Sequence, residues 1–328
     1  VSGELAIDFG SSMTRIADGD GVLLVEEPTI AAVDTDSGRL LAFGAEAVGL
    51  GARSAGRIRT VSPVRNGKLV EVDLAEDVLA AALGRCGIGR LERPRAVVCA
   101  HIDSTLVQDR AIERALKKAG IRSVRSIEHP VAAAIGCGLA IEDPIGRMVV
   151  DVGGGTTDIA VIALGSMVTT ASVEHGIDDL DVAIRAHLYR ESDLVVDPET
   201  IAELRHSMAE RPRGTAAEIE VTGRDARTGE PRRAVVGVLE LVDRVDRSLE
   251  SICDGAVEAI SAAPPDLAND LVAGGLLLVG GGAYLPGLGR RIASATGVPV
   301  TVPEEPERVA VRGAAWSEVG SETTRALS

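Results

Sequence analysis

The sequence predicts an α/β protein of two duplicated halves closing on one ligand cleft. Three observations carry this reading. An aspartate–glycine motif occurs twice, as Ile7-Asp8-Phe9-Gly10-Ser11-Ser12-Met13-Thr14 and as Val150-Asp151-Val152-Gly153-Gly154-Gly155-Thr156-Thr157-Asp158. Short β-branched runs alternate with stretches of helical apolar spacing. The chain, at 328 residues, is also long for a single hydrophobic core. Each motif copy reads as an apolar strand ending in an aspartate, then a turn of glycine and small hydroxyl residues. Glycine lets backbone N–H groups converge on an anion, because no Cβ blocks the approach. An aspartate beside such a turn suits a hydrated Mg²⁺, which prefers carboxylate and water oxygens and travels with phosphates. Two copies suggest a nucleotide–metal complex gripped from both sides.

The elements follow in order. Residues 4–9 form a strand entering the first turn, and residues 22–33 and 40–44 are further short strands split by a turn at 34–38. Residues 57–70 read as basic and irregular, broken by Pro63 and Asn66-Gly67. Leu74, Val78, Leu79 and Ala82 give helical spacing over 74–85. Residues 96–100 form a buried strand after Pro94, a helix spans about 105–119, and 124–127 is a short strand. Pro130 opens a small-residue helix over 131–136, as proline is tolerated in a first helical turn. The second half starts at Gly146, with a strand at 148–152 and a meander through 159–164 and 168–173. Residues 178–190 are helical, and the polar stretch 196–235 reads as a small, more mobile subdomain with a hairpin around Arg227-Thr228-Gly229-Glu230. Leu239, Val242, Val245, Leu249, Ile252, Val257 and Ile260 mark a long amphipathic helix over 238–262, stopped by Pro264-Pro265. Leu276-Leu277-Leu278-Val279 is a strand buried on both faces that runs into a third turn, Gly280-Gly281-Gly282-Ala283. A helix at 286–296, a strand at 298–302, a last helix at about 308–317 and a frayed tail from Ser321 complete the chain.

Composition narrows the function. The chain is 45% hydrophobic and 25% charged, a globular balance, and its 2% aromatic content leaves the core to Ala, Val, Leu and Ile. A formal net charge of −15 repels nucleic acid and anionic lipid headgroups and suits solubility in a cytosol, so no nucleic-acid partner is expected. Cys86, Cys99, Cys137 and Cys253 are scattered and form neither a zinc pattern nor a disulfide framework. No run approaches the ~20 apolar residues of a membrane span, and no basic segment precedes an apolar run, so no signal peptide is expected.

The second turn, with three consecutive glycines after a buried strand, is the most specific element, since close approach to phosphate is the usual reason for glycine there. The first turn supplies hydroxyls and amides for phosphates. The third lacks a strand-end acid; it suits stacking against a purine or serves simply as a helix-entry loop. The chain has no phosphate-binding G-x-x-x-x-G-K-[ST] loop, no dinucleotide G-x-G-x-x-G fingerprint, and no assignable Ser-His-Asp set among its five histidines. Glu26-Glu27 and Asp178-Asp179 read as solvated surface acids.

Taken in order, these motifs resemble the actin-like ATPase superfamily and, within it, the MreB-like rod shape-determining family, over nearly the whole chain. Asp8–Thr14 resembles its first phosphate motif and Val150–Asp158 its second. Val25-Glu26-Glu27-Pro28-Thr29 and Phe43-Gly44-Ala45-Glu46-Ala47 resemble one small domain; Gly223-Arg224-Asp225 with Thr228-Gly229 resembles the other. Pro130–Gly136 resembles the connecting helix and Gly280–Leu285 the adenosine motif. The resemblance implies an actin-like fold of two duplicated domains, each with a small inserted subdomain. The halves would be 1–145, with a subdomain at about 29–62, and 146–328, with one at about 190–237 and the last helix returning to the first half. It also implies ATP and Mg²⁺ in the central cleft. Asp8 and Asp151 would hold the metal through water. Gly10, Ser11, Ser12, Met13, Gly153, Gly154, Gly155, Thr156 and Thr157 would cradle phosphates, with Thr156 near the terminal one. Ala202, Glu203 and Arg205 would lie at the ribose, and Gly280, Gly281, Gly282 and Ala283 would face adenosine.

Three departures bear on turnover. The family's water-positioning glutamate before the connecting-helix proline is His129 here. An imidazole can orient or deprotonate water, and it can equally be a helix-cap or core histidine. Glu128 is a poor substitute, because neighbouring strand side chains point to opposite faces. Met13 replaces the family's asparagine. The ribose-clasping Glu-x-x-Lys aligns with Ala202-Glu203-Leu204-Arg205, so the acid is lost or shifted by one residue and arginine replaces lysine. The resemblance implies self-association into cytoplasmic filaments for cell shape and cell-wall organisation, with slow or impaired hydrolysis and catalysis through His129 and Thr156. Partners would be membrane-associated cell-wall synthesis adaptors, at the inner face of the membrane. Direct membrane binding is not expected, since Ile88 and Leu91 are weak anchors. A non-hydrolysing nucleotide-binding scaffold and a monomeric ATPase or kinase of the superfamily are the alternatives.

Overall fold

The computed structural model describes residues 4–51, 56–87, 93–209, 218–285, 287–317 and 325–326. Two central sheets share one plan. In the first, the meander Glu4–Phe9, Met13–Asp18, Leu23–Pro28 is antiparallel, and Glu4–Phe9 pairs in parallel with Arg95–Ala100, which pairs in parallel with Ser123–Glu128. Arg325–Ala326 closes its edge. In the second, Arg147–Val152, Thr157–Ala163 and Ser166–Val173 form the antiparallel meander, and Arg147–Val152 pairs in parallel with Leu276–Val279, then Val300–Thr301. Each repeated motif is the hairpin turn between the first two strands of its meander. The carboxyl ends of the parallel strands sit beside that turn, where open α/β sheets collect ligands.

Smaller sheets flank these. Ala31–Asp34 pairs with Leu40–Phe43 and with Ile58–Val61; Glu218–Asp225 pairs with Leu194–Val195 and with Pro231–Gly237. The stretch 57–70, expected to be irregular, is instead the strand Ile58–Val61 followed by the tight hairpin Val64–Arg65/Lys68–Leu69. Asn66 at φ +47° and Gly67 at φ +67° make the primed turn that a two-residue hairpin favours. Pro264-Pro265 ends one helix, Val238–Ala262, and also opens another, Pro265–Gly274, since proline is as compatible with a first helical turn as it is hostile to a helix interior. Ile88, Leu91, residues 321–324 and 327–328 of the tail and the side chains of Leu239, Val242 and Val245 lie outside the described residues, while Arg325–Ala326, in the tail expected to fray, pairs with Ser123–Glu128.

Between the two sheets lie the helices His129–Gly136 and Val309–Trp316. A Cβ on Gly313 would stand 1.8 Å from the Ala132 carbonyl oxygen, and one on Gly136 2.0 Å from that of Val309. The two helices therefore meet backbone to backbone. Around them Ala6, Ala17, Val97, Ile127, Val149, Ala160 and Val279 form one buried cluster drawing on both sheets. Small side chains are what let the sheets approach this closely, which accounts for the low aromatic content. No described helix is long and apolar enough to cross a membrane.

Candidate nucleotide cleft

The two repeated turns are closed by the same backbone hydrogen bond. Gly10 N–H bonds the Met13 carbonyl at 3.0 Å, and Gly153 N–H bonds that of Thr156 at 2.9 Å. Both turns line a cleft of about 360 Å³ between the two sheets, a ligand-sized space. Asp8 and Asp151, each near the end of its strand, are 6% and 7% exposed. His129, at the start of its helix, lies between them, with Nε2 3.3 Å from Asp8 Oδ1 and Nδ1 3.3 Å from Asp151 Oδ2. Burial disfavours charge on that imidazole, but the two carboxylates outweigh it and raise its pKa well above the ordinary value. Burial likewise pushes the Asp8 carboxyl up, while His129 and Arg15 more than offset it and hold it below the usual range. Asp8 Oδ1 faces His129 too obliquely for a hydrogen bond and has no other partner. Two buried carboxylates in one cleft wall, on either side of His129 and one with an orphaned oxygen, offer the oxygen donors that a hydrated divalent cation takes.

The glycines form a cradle that side chains would fill. A Cβ on Gly154 would lie 1.8 Å from Ser12 Oγ, and one on Gly155 2.8 Å from the Asn66 backbone. Ser11 Oγ accepts from Gly67 N–H at 3.0 Å, which ties the first turn to the 64–69 hairpin. Ser12 Oγ reaches across to Asp178, 2.8 and 2.7 Å from its two carboxylate oxygens. The surface expectation for Asp178 is thus corrected: it stands in the cleft wall, and burial raises its carboxyl pKa despite the Ser12 hydroxyl. Glu26 is not simply solvated either; it pairs with Arg15 at 2.9 Å and Arg308 at 2.5 Å. Glu27 pairs with Arg85 at 2.5 Å.

Of the residues expected at the ligand, Asp8, Gly10, Ser11, Ser12, Met13, His129, Asp151, Gly153, Gly154, Gly155, Thr156, Arg205, Gly280 and Gly281 line the cleft. Arg205 is there in an ion pair with Asp181, whose carboxyl pKa burial raises against that arginine's pull. Thr157, Ala202, Glu203, Gly282 and Ala283 are not in the cleft wall. The Thr157 hydroxyl instead bonds the His175 carbonyl at 2.8 Å, because alternate strand residues face opposite ways. Gly282 packs on Val152, where a Cβ would come within 2.2 Å of Cγ1. Glu128 is absent from the wall as well.

Sequence reasoning missed His101 and Asp158 in this wall. His101 Nδ1 is 3.0 Å from Asp158 Oδ2 and 3.3 Å from Thr156 Oγ1, and its ring stacks on His129 with centroids 5.0 Å apart. Asp158 is 3% exposed; burial pushes its carboxyl up, and the His101 hydrogen bond and charge overcome that and lower it. The available signal was positional: His101 directly follows a strand parallel to the first motif strand.

Comparison with known proteins agrees with this geometry. The family model described as MreB/Mbl protein matches residues 2–325. The chain is 35% identical over 306 residues to the cell shape-determining protein Mbl of Bacillus subtilis, covering 92% of both chains. It is 34% identical over 320 residues to the cell shape-determining protein MreB of Escherichia coli, covering 95% of this chain and 92% of that one. Among solved structures, MreB5 of Spiroplasma citri bound to AMPPNP superposes with a TM-score of 0.84 at 23% identity, covering 94% of each chain. A MamK double helical filament subunit superposes with a TM-score of 0.77 at 18% identity, covering 95% of this chain and 97% of that one. The fold is therefore that of the actin-like proteins, and the chain belongs to the MreB/Mbl family of cell shape-determining proteins.

Proposed function

We propose that this chain binds ATP with Mg²⁺ in the cleft, assembles into cytoskeletal filaments and hydrolyses ATP slowly. The single observation behind this is the pair of turns closed by the same backbone hydrogen bond, whose aspartates, Asp8 and Asp151, meet in one cleft wall on either side of His129. Mg²⁺, held by these two carboxylates through water, would neutralise charge on the terminal phosphates. Ser11, Ser12, Gly154 and Gly155 offer hydroxyls and amides to phosphate, and Thr156 presents its hydroxyl at the terminal one. Arg205 with Asp181 lies toward the ribose, and Gly280 with Gly281 offers flat backbone to adenine. Ser12 on Asp178 and the Asn66-Gly67 turn on Gly155 tie the two sides of the cleft together. Self-association follows from the family and from the filament formed by MamK, a protein of the same fold. We place the protein in the cytoplasm, reaching the inner face of the membrane through cell-wall synthesis adaptors, because a net charge of −15 opposes direct contact with anionic lipid.

Calorimetry with Mg-ATP and negative-stain imaging with and without it test the reading. Binding at micromolar to millimolar nucleotide and nucleotide-dependent filaments are expected; no heat at millimolar Mg-ATP would sink it. His129 favours a second reading, a scaffold that binds ATP without hydrolysing it, since each of its nitrogens faces a carboxylate. Phosphate release by the wild type separates the two.

A further inference from the structure

Glu307 is a charged group in the cleft wall that none of the three glycine turns accounts for. It lies there beside Gly280, Gly281 and Pro306. The Gly280 N–H bonds the Pro306 carbonyl at 2.9 Å, so the chain at Glu307 is tied directly to the third glycine turn. Tyr284, which ends the short helix Gly281–Tyr284 after that turn, donates its hydroxyl to Glu307 Oε2 at 2.7 Å. That bond raises the Tyr284 pKa to about 12, so the hydroxyl stays a donor at neutral pH and holds the carboxylate by one oxygen. The other oxygen, Oε1, has no hydrogen bond among the described residues. Arg308 Nε stands 3.8 Å from it, and that guanidinium is bonded to Glu26 at 3.2 and 2.5 Å. The Glu307 side chain is 18% exposed, sheltered enough for a hydrogen bond there to be stronger than one in bulk water. A carboxylate only accepts, so what it takes from a nucleotide is an N–H or an O–H. Ionised phosphates offer neither and are repelled. The ribose hydroxyls fall to Arg205 and Asp181 in the reading above, which leaves the base. Adenine carries an amino group, a donor, at the ring carbon where guanine carries an oxygen, an acceptor.

We propose, on the ATP-binding reading above, that Glu307, steered by Tyr284, selects the base of the nucleotide: its Oε1 accepts a hydrogen bond from the amino group of adenine and repels the corresponding oxygen of guanine. The third turn supplies flat backbone and no side chain that could tell one purine from another, so selection rests on this carboxylate. Tyr284, outside the cleft wall, is a positioning residue that acts by fixing the carboxylate.

Calorimetry tests this with Mg-ATP, Mg-GTP and the Mg²⁺ complex of purine riboside triphosphate, which is ATP without its amino group. The proteins are the wild type, Glu307→Leu, Glu307→Gln and Tyr284→Phe. The wild type is expected to bind ATP about tenfold tighter than the amine-free analogue and about 100-fold tighter than GTP. Glu307→Leu should bring all three within about threefold of one another, weakening ATP and leaving the analogue unchanged. Glu307→Gln, whose amide donates as well as accepts, should bind GTP about tenfold tighter than the wild type does. Tyr284→Phe should shrink the ratio of ATP to analogue affinity to about threefold with the analogue unchanged. A purely structural Glu307 would instead weaken all three nucleotides alike. Equal wild-type affinity for ATP and the analogue, or an unchanged ratio in Glu307→Leu, would overturn the inference and leave ATP binding intact. A wild type that prefers GTP, whose ring N–H and amino group also suit a carboxylate, would overturn it too. A wild type that binds none of the three would remove the ATP reading itself, and this inference with it.

Discussion

Asp178 sits where a charge is least comfortable, wedged between Ser12 and Asp179 beside the phosphate turns. Burial raises its pKa, the adjacent Asp179 adds to that, and the Ser12 hydroxyl only partly opposes them. A carboxyl raised in the folded state supports folding fully below its unfolded value of about 3.9. That support is lost as pH climbs through the folded value, so at neutral pH the ionised group weighs against the fold. Asp178→Asn keeps an acceptor for Ser12 and drops the charge. It should melt about 2 °C above wild type at pH 7.5 without nucleotide, and the gap should close near pH 4; a lower melting temperature at pH 7.5 contradicts the account. At this scale the sequence was legible where backbone chemistry shows in composition, as in the three glycines at 153–155. It was misleading where a side chain's environment decides. Asp178 reads as one of two surface acids, and nothing local distinguishes it from Asp179.

The helix pair His129–Gly136 and Val309–Trp316 is the element that holds the two sheets together. Its contact depends on two glycines with ordinary backbone angles, so what matters is proximity and not conformation. Gly313→Ala would drive a methyl into the Ala132 carbonyl and should destabilise the protein by about 3 kcal/mol in urea unfolding. Gly84, in the helix Val72–Arg85, has nothing within 4 Å of its missing Cβ. Gly84→Ala should therefore stabilise by about 0.5–1 kcal/mol through lost unfolded-chain entropy and better helix propensity. Equal effects at the two sites would refute the backbone-contact explanation. Most elements could be read in advance, since 3.6- and 2-residue periodicities are local. The 57–70 stretch could not, because its strands are two to four residues long and Ile58–Val61 forms only by pairing with Ala31–Asp34.

On the scale of the molecule, the halves are joined across the cleft mouth by Ser12–Asp178, by the Asn66-Gly67 turn resting on Gly155, and by an ion pair between Lys68 and Glu174. That pair is exposed at 52% and 62% and adds little to global stability. Its position suits control of opening. Lys68→Glu would set two glutamates against each other, and release of a fluorescent ATP analogue in stopped-flow should quicken about threefold at low salt. In 1 M NaCl, where the screening length is about 3 Å, the difference should disappear, and adding Glu174→Lys should restore the wild-type rate. No restoration in the double swap would mean the pair does not govern opening.

By itself the sequence determined the two Asp–glycine turns, their order with the third glycine turn, the alternation of strands and helices, and so the family resemblance that the comparisons bear out. These are short-range properties, set by backbone freedom and side-chain period within a few residues. Only the tertiary structure decided which polar groups share the cleft. It seats His129 between Asp8 and Asp151, brings His101 to Asp158 and Thr156 from 57 and 55 residues away, and swings Asp178 onto Ser12 from 166 residues away. The physical reason is that such meetings depend on how two sheets stack through a layer of alanines and glycines, and that stacking is a sum of many long-range contacts that no local pattern records.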